Sequence, residues 1–205
     1  MNNHFENLLK RYPALSECGE DIKKAYNLLE KCYDNSGKLL CCGNGGSSAD
    51  CDHLVGELMK GFMKKRPLSA EEKNRFSDPF ISGGLQKGLP AISLTTQSGL
   101  MTAFENDCEP SLVFAQQVYA LADENDLLFA FSTSGNSKNV VYAIEAASAK
   151  GINSVAVTGK TDSACSERAT VCIRLPENET YKIQELTLPV YHCLAAMIED
   201  KYFDK

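Results

Sequence analysis

Two stretches of the chain combine glycine, serine and asparagine in a way that suits a small anion. Gly43-Asn44-Gly45-Gly46-Ser47 follows the apolar run "LLCC", and Ser132-Thr133-Ser134-Gly135-Asn136-Ser137 follows "LLFAF". Each stretch lies between the pattern of a buried strand and that of a helix. Ligands of open α/β sheets bind at such places, outside the carboxyl ends of the strands. Unpaired N–H groups and a partial positive charge at a helix start attract anions. Glycines let the backbone approach closely, and hydroxyls add donors without adding charge. Neither stretch contains the Gly-Lys-Ser/Thr of a nucleoside triphosphate loop or a GxGxxG fingerprint. A small phosphorylated metabolite fits better than a nucleotide. A helix cap accounts for either junction taken alone, and Ser137 is of the capping type. Two junctions with the same grammar favour a ligand.

Polar residues on the flanking helical segments supply candidate chemistry. His53 and Glu57 stand four apart after the first junction, a spacing that shares one helix face. His192 lies eight residues after Gln184 in the last helical segment, about 80° around the axis from it. The neighbours Leu186, Leu188, Val190, Leu194 and Ile198 make that segment apolar. A base and a carboxylate beside a bound sugar phosphate suit proton transfer at a carbonyl. Two histidines, one glutamate and one glutamine oxygen equally suit a metal ion. The residues alone leave both readings open. Glu185 reads as a surface charge, and His4 is set aside as part of an N-terminal tail.

These residues need elements to hold them. Helical spacing recurs at Phe5–Leu9 and Ile22–Cys32, with breaks at Pro13 and Gly19. Strands are expected at "KLLCCG", "PAISLTT", "DLLFAFST", "INSVAVTG" and "TVCIRLP". Between and after them, helices are expected over Ser47–Phe62, Ser111–Ala122, Ser137–Lys150 and Glu179–Tyr202. Apolar strands alternating with helices imply a parallel sheet covered on both faces. The charged segment from Lys64 to Pro90 reads as a long surface excursion with a short helix at Ser69–Arg75. A tolerated loop, a lid and a subunit contact all suit such a segment.

Bulk properties narrow the class. A chain of 205 residues suggests one domain with a helical arm. A net charge of −6 without a long basic run argues against sequence-independent nucleic-acid binding. Nine cysteines, an odd number without any CxxC pair, read as reduced core residues and not as a disulfide framework or zinc ribbon. The N-terminal residues lack the apolar core of a signal peptide, and no apolar run has the ~18 residues of a membrane span. A cytoplasmic protein is expected.

"CGNGGSSADCDHLVGEL", "AISLTTQSGLMTAFENDCEPSLVFAQQV", "LLFAFSTSGNSKNVVYAIEAASAKGINSVAVTGKT" and "IQELTLPVYHCLAAMIE" together resemble the phosphoheptose isomerases of the sugar isomerase (SIS) superfamily. The resemblance covers about Cys32 to Glu199. It implies a flavodoxin-like α/β/α sandwich with a central parallel sheet (residues 36–205) preceded by a helical arm (residues 1–35). It implies a homotetramer with sites between subunits, and conversion of sedoheptulose 7-phosphate to D-glycero-D-manno-heptose 7-phosphate. Carried over by motif, Asn44, Gly45, Gly46 and Ser47 line the substrate, and Ser132, Thr133, Ser134 and Ser137 hold its phosphate. Asn106 and Asp107 contact the sugar, as do Glu57 and Gln184. Glu57 and His192 form the acid–base pair. His53, Glu57, Gln184 and His192 match zinc-binding positions; no nucleotide cofactor, nucleic acid or membrane is implied. Three departures stand out: Gly61 where the family often has Arg, Tyr181 where it has Asp, and the length of the excursion. Lys60, Lys64 or Lys65 would replace that Arg only as a point charge. The departures keep two alternatives in view, an isomerase of another sugar phosphate and a non-catalytic SIS-domain adaptor.

Overall fold

The computed structural model describes residues 3–203. Helix α1 (Asn3–Arg11), a 3-10 turn (Pro13–Cys18) and α2 (Gly19–Asp34) precede strand β1 (Leu39–Gly43) and α3 (Gly46–Met59). The excursion holds α4 (Ala70–Lys73) and α5 (Pro79–Gly84). Then come β2 (Ala91–Ser93), α6 (Ser98–Asp107), a 3-10 turn (Pro110–Leu112), α7 (Val113–Leu121), β3 (Leu127–Phe131) and α8 (Lys138–Ala149). The chain closes with β4 (Asn153–Thr158), α9 (Ala164–Arg168), β5 (Val171–Arg174) and α10 (Thr180–Phe203). The five strands form one parallel sheet in the order β2-β1-β3-β4-β5.

The sheet is buried on both faces, so its inner strands are uninterrupted apolar runs. Leu39, Cys41, Phe129, Phe131, Val155 and Val157 point to one face, where α1, α2, α3 and α10 cover them. Leu40, Cys42, Leu128, Ala130 and Ala156 point to the other, under α7, α8 and α9. The helical arm shares the first of these cores, through Phe5, Leu8, Leu15 and Ile22. Beyond the described ends, nothing is assigned to residues 1–2 and 204–205.

Several boundaries differ from those read in the sequence, for local reasons. α3 stops at Met59 and not Phe62, because Lys60 turns extended and the amides of Phe62, Met63 and Lys64 donate to the buried Glu199 carboxylate at 2.8–3.1 Å. Arg66 meets the same carboxylate through Nε at 2.8 Å. It also donates to the carbonyls of Leu58 (2.7 Å) and Glu57 (3.2 Å) at the end of α3, and its guanidinium stacks 4.4 Å from the Phe203 ring centre. The excursion therefore leaves from a fixed neck, closed by the antiparallel Pro67–Gln86 bridge and the Lys87 N–H to Arg66 carbonyl bond of 2.7 Å. Its first helix has the Ser69/Glu72 capping box that "SAEE" implies. The α6 helix leaves little mark in the sequence because none of its residues is fully buried; only Met101 and Phe104 pack, part-buried, against the core. Two other helices, α5 and α9, are too short to show an apolar stripe. The expected Ser111–Ala122 helix divides at Leu112 into a 3-10 turn and α7.

Candidate active site

The register of β1 on β3 pairs Gly43 with Phe131, which sets the two glycine-serine junctions side by side. At the first, a Cβ on Gly43 would lie 2.8 Å from the Ser47 carbonyl oxygen, so only glycine lets α3 start so close to the strand. Gly45 takes a φ of +57°, and the Ser47 N–H returns to the Asn44 carbonyl at 3.0 Å. At the second junction Gly135 has a φ of +64° and packs against Ser163. Ser137 occupies the cap position of α8 but makes no side-chain cap bond. Its hydroxyl accepts instead from Ser132 Oγ at 3.1 Å. Ser134 Oγ accepts from the Asn136 N–H at 3.2 Å, and the Thr133 carbonyl accepts from Gly159. A pair of reciprocal amide bonds, both 2.9 Å, joins Asn44 to Asn139 and so locks one junction to the other. Asn139 is not among the residues singled out in the sequence; its place four residues after Gly135, on the same helix start, is the available signal.

Farther along α3, His53 and Glu57 face α10. His53 Nε2 stands 3.1 Å from Glu57 Oε1 and 3.4 Å from His192 Nε2. The two imidazoles meet edge to face with centres 4.9 Å apart, and Phe62 lies 5.2 Å from His192. Burial, and then the neighbouring His53, push the His192 imidazole below the usual histidine range, while Glu57 opposes them. His192 is therefore neutral near pH 7, a form able to accept a proton. Lys60 Nζ donates to Glu57 Oε2 at 3.0 Å, so a point charge does stand beside this carboxylate. Lys64 pairs with Asp200. A Cβ on Gly61 would lie 2.2 Å from the Lys64 carbonyl oxygen, which leaves no room for an arginine there.

Other expected site residues lie apart from this cluster. Gln184 places its amide against Gly46, where an added Cβ would meet Nε2 at 2.6 Å. That is seven residues before His53, about 10 Å along α3. The space left by Gly46 thus holds a side chain of this protein. Asn106 donates to Asp107 at 2.8 Å at the exposed end of α6, and Tyr181 is exposed. His4 belongs to α1 and not to a loose tail. It pairs with Asp200 at 2.9 Å and, with Arg11, Met63 and Pro189, lines a cleft of about 390 Å³ into which His192 opens.

In donor type, His53, Glu57 and His192 fit zinc. The separations from His53 Nε2 match the edge of a tetrahedron with metal–donor bonds of about 2.0–2.1 Å, roughly 3.3 Å. Among the described residues, however, no three His, Cys, Asp or Glu side chains close into a finished metal cage. All nine cysteines are free thiols, and none belongs to this cluster.

The SIS domain family matches residues 91–197, and a second SIS domain family matches residues 3–79. The phosphoheptose isomerase of Shewanella denitrificans is 35% identical over 201 residues, 97% of this chain and 92% of that one. That of Halorhodospira halophila is also 35% identical, over 97% of this chain and 91% of its own. The solved phosphoheptose isomerases of Neisseria gonorrhoeae and Francisella tularensis both superpose with a TM-score of 0.76 at 30% identity. The first match covers 96% of this chain and 95% of that one, the second 97% and 96%. Paired glycine-serine junctions on a parallel sheet, a His–Glu–His cluster between α3 and α10 and this likeness over nearly the whole length agree: the chain belongs to the phosphoheptose isomerase family of SIS-domain proteins.

Proposed function

We propose that the protein isomerises sedoheptulose 7-phosphate to D-glycero-D-manno-heptose 7-phosphate. One observation carries the reading: α3 begins at the glycine-serine junction and, about 10 Å on, reaches His53, whose Nε2 meets both Glu57 and His192. An extended seven-carbon sugar matches that span, with its phosphate at the junctions and C1 and C2 at the carboxylate. The hydroxyls of Ser132, Thr133, Ser134 and Ser137 and the N–H groups at the starts of α3 and α8 supply the phosphate donors. Asn44, Gly45, Gly46 and Ser47 flank the chain of the sugar, with Gln184 at the same junction; Asn106 and Asp107 are assigned to it by family motif.

Glu57 takes a proton from C1 as the C2 carbonyl oxygen gains one, which gives the enediol. Glu57 then returns its proton to C2 while the O1 hydroxyl loses its own, and the aldehyde forms at C1. Neutral His192 moves the oxygen-bound protons. Phe62 packs beside the His192 ring, their centres 5.2 Å apart. Zinc is the cofactor we assign, held by His53, Glu57 and His192; Gln184, which the family motif would make a fourth ligand, lies instead at the first junction, against Gly46. When bound it would polarise the carbonyl and stabilise negative charge on oxygen. A homotetramer and a cytoplasmic setting complete the proposal. Exposed Met63, Phe80, Tyr119 and Tyr181 support subunit contacts, and free thiols suit a reducing compartment. Among the described residues, no helix is long and apolar enough to cross a membrane.

Turnover of a panel of ketose phosphates tests the reading. Highest kcat/KM on the seven-carbon substrate is expected. Preference for a five- or six-carbon phosphate would reassign the sugar, and inactivity on all of them, with zinc supplied, would overturn the isomerase.

A further inference from the structure

The reciprocal bonds between Asn44 and Asn139, both 2.9 Å, close a ring of two primary amides. The ring joins the end of β1 to the first turn of α8, which the pairing of Gly43 with Phe131 brings together. Asn44 is exposed and Asn139 half-buried, so the pair lies at the open surface of the two junctions. The Asn44 carbonyl accepts from the Ser47 N–H at 3.0 Å, which fixes its backbone as well as its side chain. Among the described residues, neither amide has a further partner.

An asparagine amide has two N–H hydrogens, and two lone pairs on its oxygen. The ring uses one of each from either residue. One hydrogen and one lone pair per amide remain, and the geometry of the ring sorts them. On each edge the leftover N–H of one asparagine stands beside the leftover lone pair of the other, with nitrogen and oxygen 2.9 Å apart. A donor and an acceptor at that spacing match two hydroxyls on neighbouring carbons. Each hydroxyl both gives and takes, and the gauche oxygens of a 1,2-diol stand about as far apart as two hydrogen-bonded heavy atoms. An ionised carboxylate, which only accepts, would oppose the carbonyl on that edge. The ring also holds both side chains in place before a ligand arrives, which lowers the ordering cost of binding.

We propose that the Asn44–Asn139 pair is a diol clamp, and that Asn139 is a specificity-determining residue for the two hydroxyls nearest the phosphate. Asn139 follows Ser137 by two residues on the same helix start, and Asn44 leads into the start of α3. The pair therefore sits beside the serine hydroxyls, at the other end of the span from His53. On sedoheptulose 7-phosphate the hydroxyls in reach are those at C5 and C6. This assignment of carbons rests on the isomerase reading above; the clamp itself needs only a polyol phosphate at the junctions.

The 5-deoxy and 6-deoxy analogues of sedoheptulose 7-phosphate test the clamp in the full-length protein supplied with zinc. Each lacks one hydroxyl and leaves one atom of the edge unpaired. The parent is expected to turn over each analogue with a kcat/KM about 10-fold below that of the full sugar, mostly through KM. Asn139→Leu keeps the size of the side chain and opens the ring; its fold is checked by melting. In this variant kcat/KM on the full sugar is expected to fall about 10-fold, and the preference over either analogue to shrink below about 3-fold. Its inhibition by inorganic phosphate should stay near the parent's, because the serine hydroxyls are intact. Equal treatment of all three sugars by the parent would overturn the proposal. So would a loss in Asn139→Leu that is the same on all three, the mark of a damaged fold and not of a lost contact. Failure of the isomerase reading shows differently, as no turnover of any of them by the parent. Calorimetric binding of the same three compounds then measures the preference, and equal or absent binding would overturn the clamp.

Discussion

Replacing Arg66 by Met should be among the most damaging single changes outside the site. Arg66 is 1% exposed, and Glu199 is fully buried. The substitution keeps the apolar stem and length but removes donors to Glu199 Oε1, the Leu58 carbonyl and the Glu57 carbonyl. Breaking one side of a buried ion pair costs about 3–5 kcal/mol, mostly through the charge left behind. Glu199 keeps three backbone N–H partners and the Leu58 carbonyl keeps the Leu89 N–H at 2.9 Å, which argues for the lower half of that range, whereas the loss of Arg66 from the Glu57 carbonyl argues for the upper. At roughly 2–4 °C per kcal/mol for a chain of this size, the melting temperature should drop by about 6–20 °C. Because the lost carbonyl contacts include that of Glu57, kcat should fall in the molecules that remain folded. Circular dichroism melts at matched protein concentration, with kcat measured well below the variant's midpoint, would read both. A loss under about 1 kcal/mol, the level of a surface pair, would refute the reasoning that this pair anchors the neck and the end of α3.

Gly46→Ala should displace the Gln184 amide and not the backbone, because the close atom is the end of a flexible side chain. The expected result is a raised KM with a melting temperature within a few degrees of the parent; an unchanged KM would contradict the placement of Gln184 at the junction. Gly61→Arg, which restores a family feature, should destabilise by about 1–3 kcal/mol without raising activity, since its Cβ meets the Lys64 carbonyl; a urea midpoint equal to the parent's would count against this. Thiol labelling gives a further check. Burial pushes Cys18 up to about 11 and Cys32, Cys165 and Cys193 up to about 12, and it raises Cys41, Cys42, Cys51 and Cys172 as well. The thiolate is the reactive form, so iodoacetamide near neutral pH should add once per folded chain, at exposed Cys108; rapid second addition by intact mass would be inconsistent with this packing.

Much of the architecture could be read in the sequence because buried parallel strands leave a strong signature. "LLCC" and "LLFAF" have no polar alternation, and that alone places helices on both faces of the sheet. The same runs located both junctions, since a glycine-serine cluster directly after a buried strand marks a tight turn into a helix start. Elements without a buried stripe were not legible. α6 rests at the surface, and α9 spans only five residues. At the site, i,i+4 spacing joined His53 to Glu57, but nothing local joins either to His192. That contact depends on how α3 and α10 cross. Gln184 and Gly46 are another such pair. The buried Arg66 looked like one more charge in "KKRP", because a charge held 133 residues away by Glu199 leaves no mark on its neighbours in sequence.

Isotope transfer tests the central claim most directly. The protein, supplied with zinc, would be incubated with sedoheptulose 7-phosphate in deuterated water and the aldose product analysed by mass spectrometry and NMR. Deuterium is predicted at C2 of the product, gained as Glu57 exchanges its proton with solvent at the enediol stage. In Glu57→Gln, incorporation and turnover should both disappear while the variant still binds the sugar phosphate. Turnover that persists in Glu57→Gln would contradict the proposed reaction, because it would remove the proton carrier on which that reaction depends.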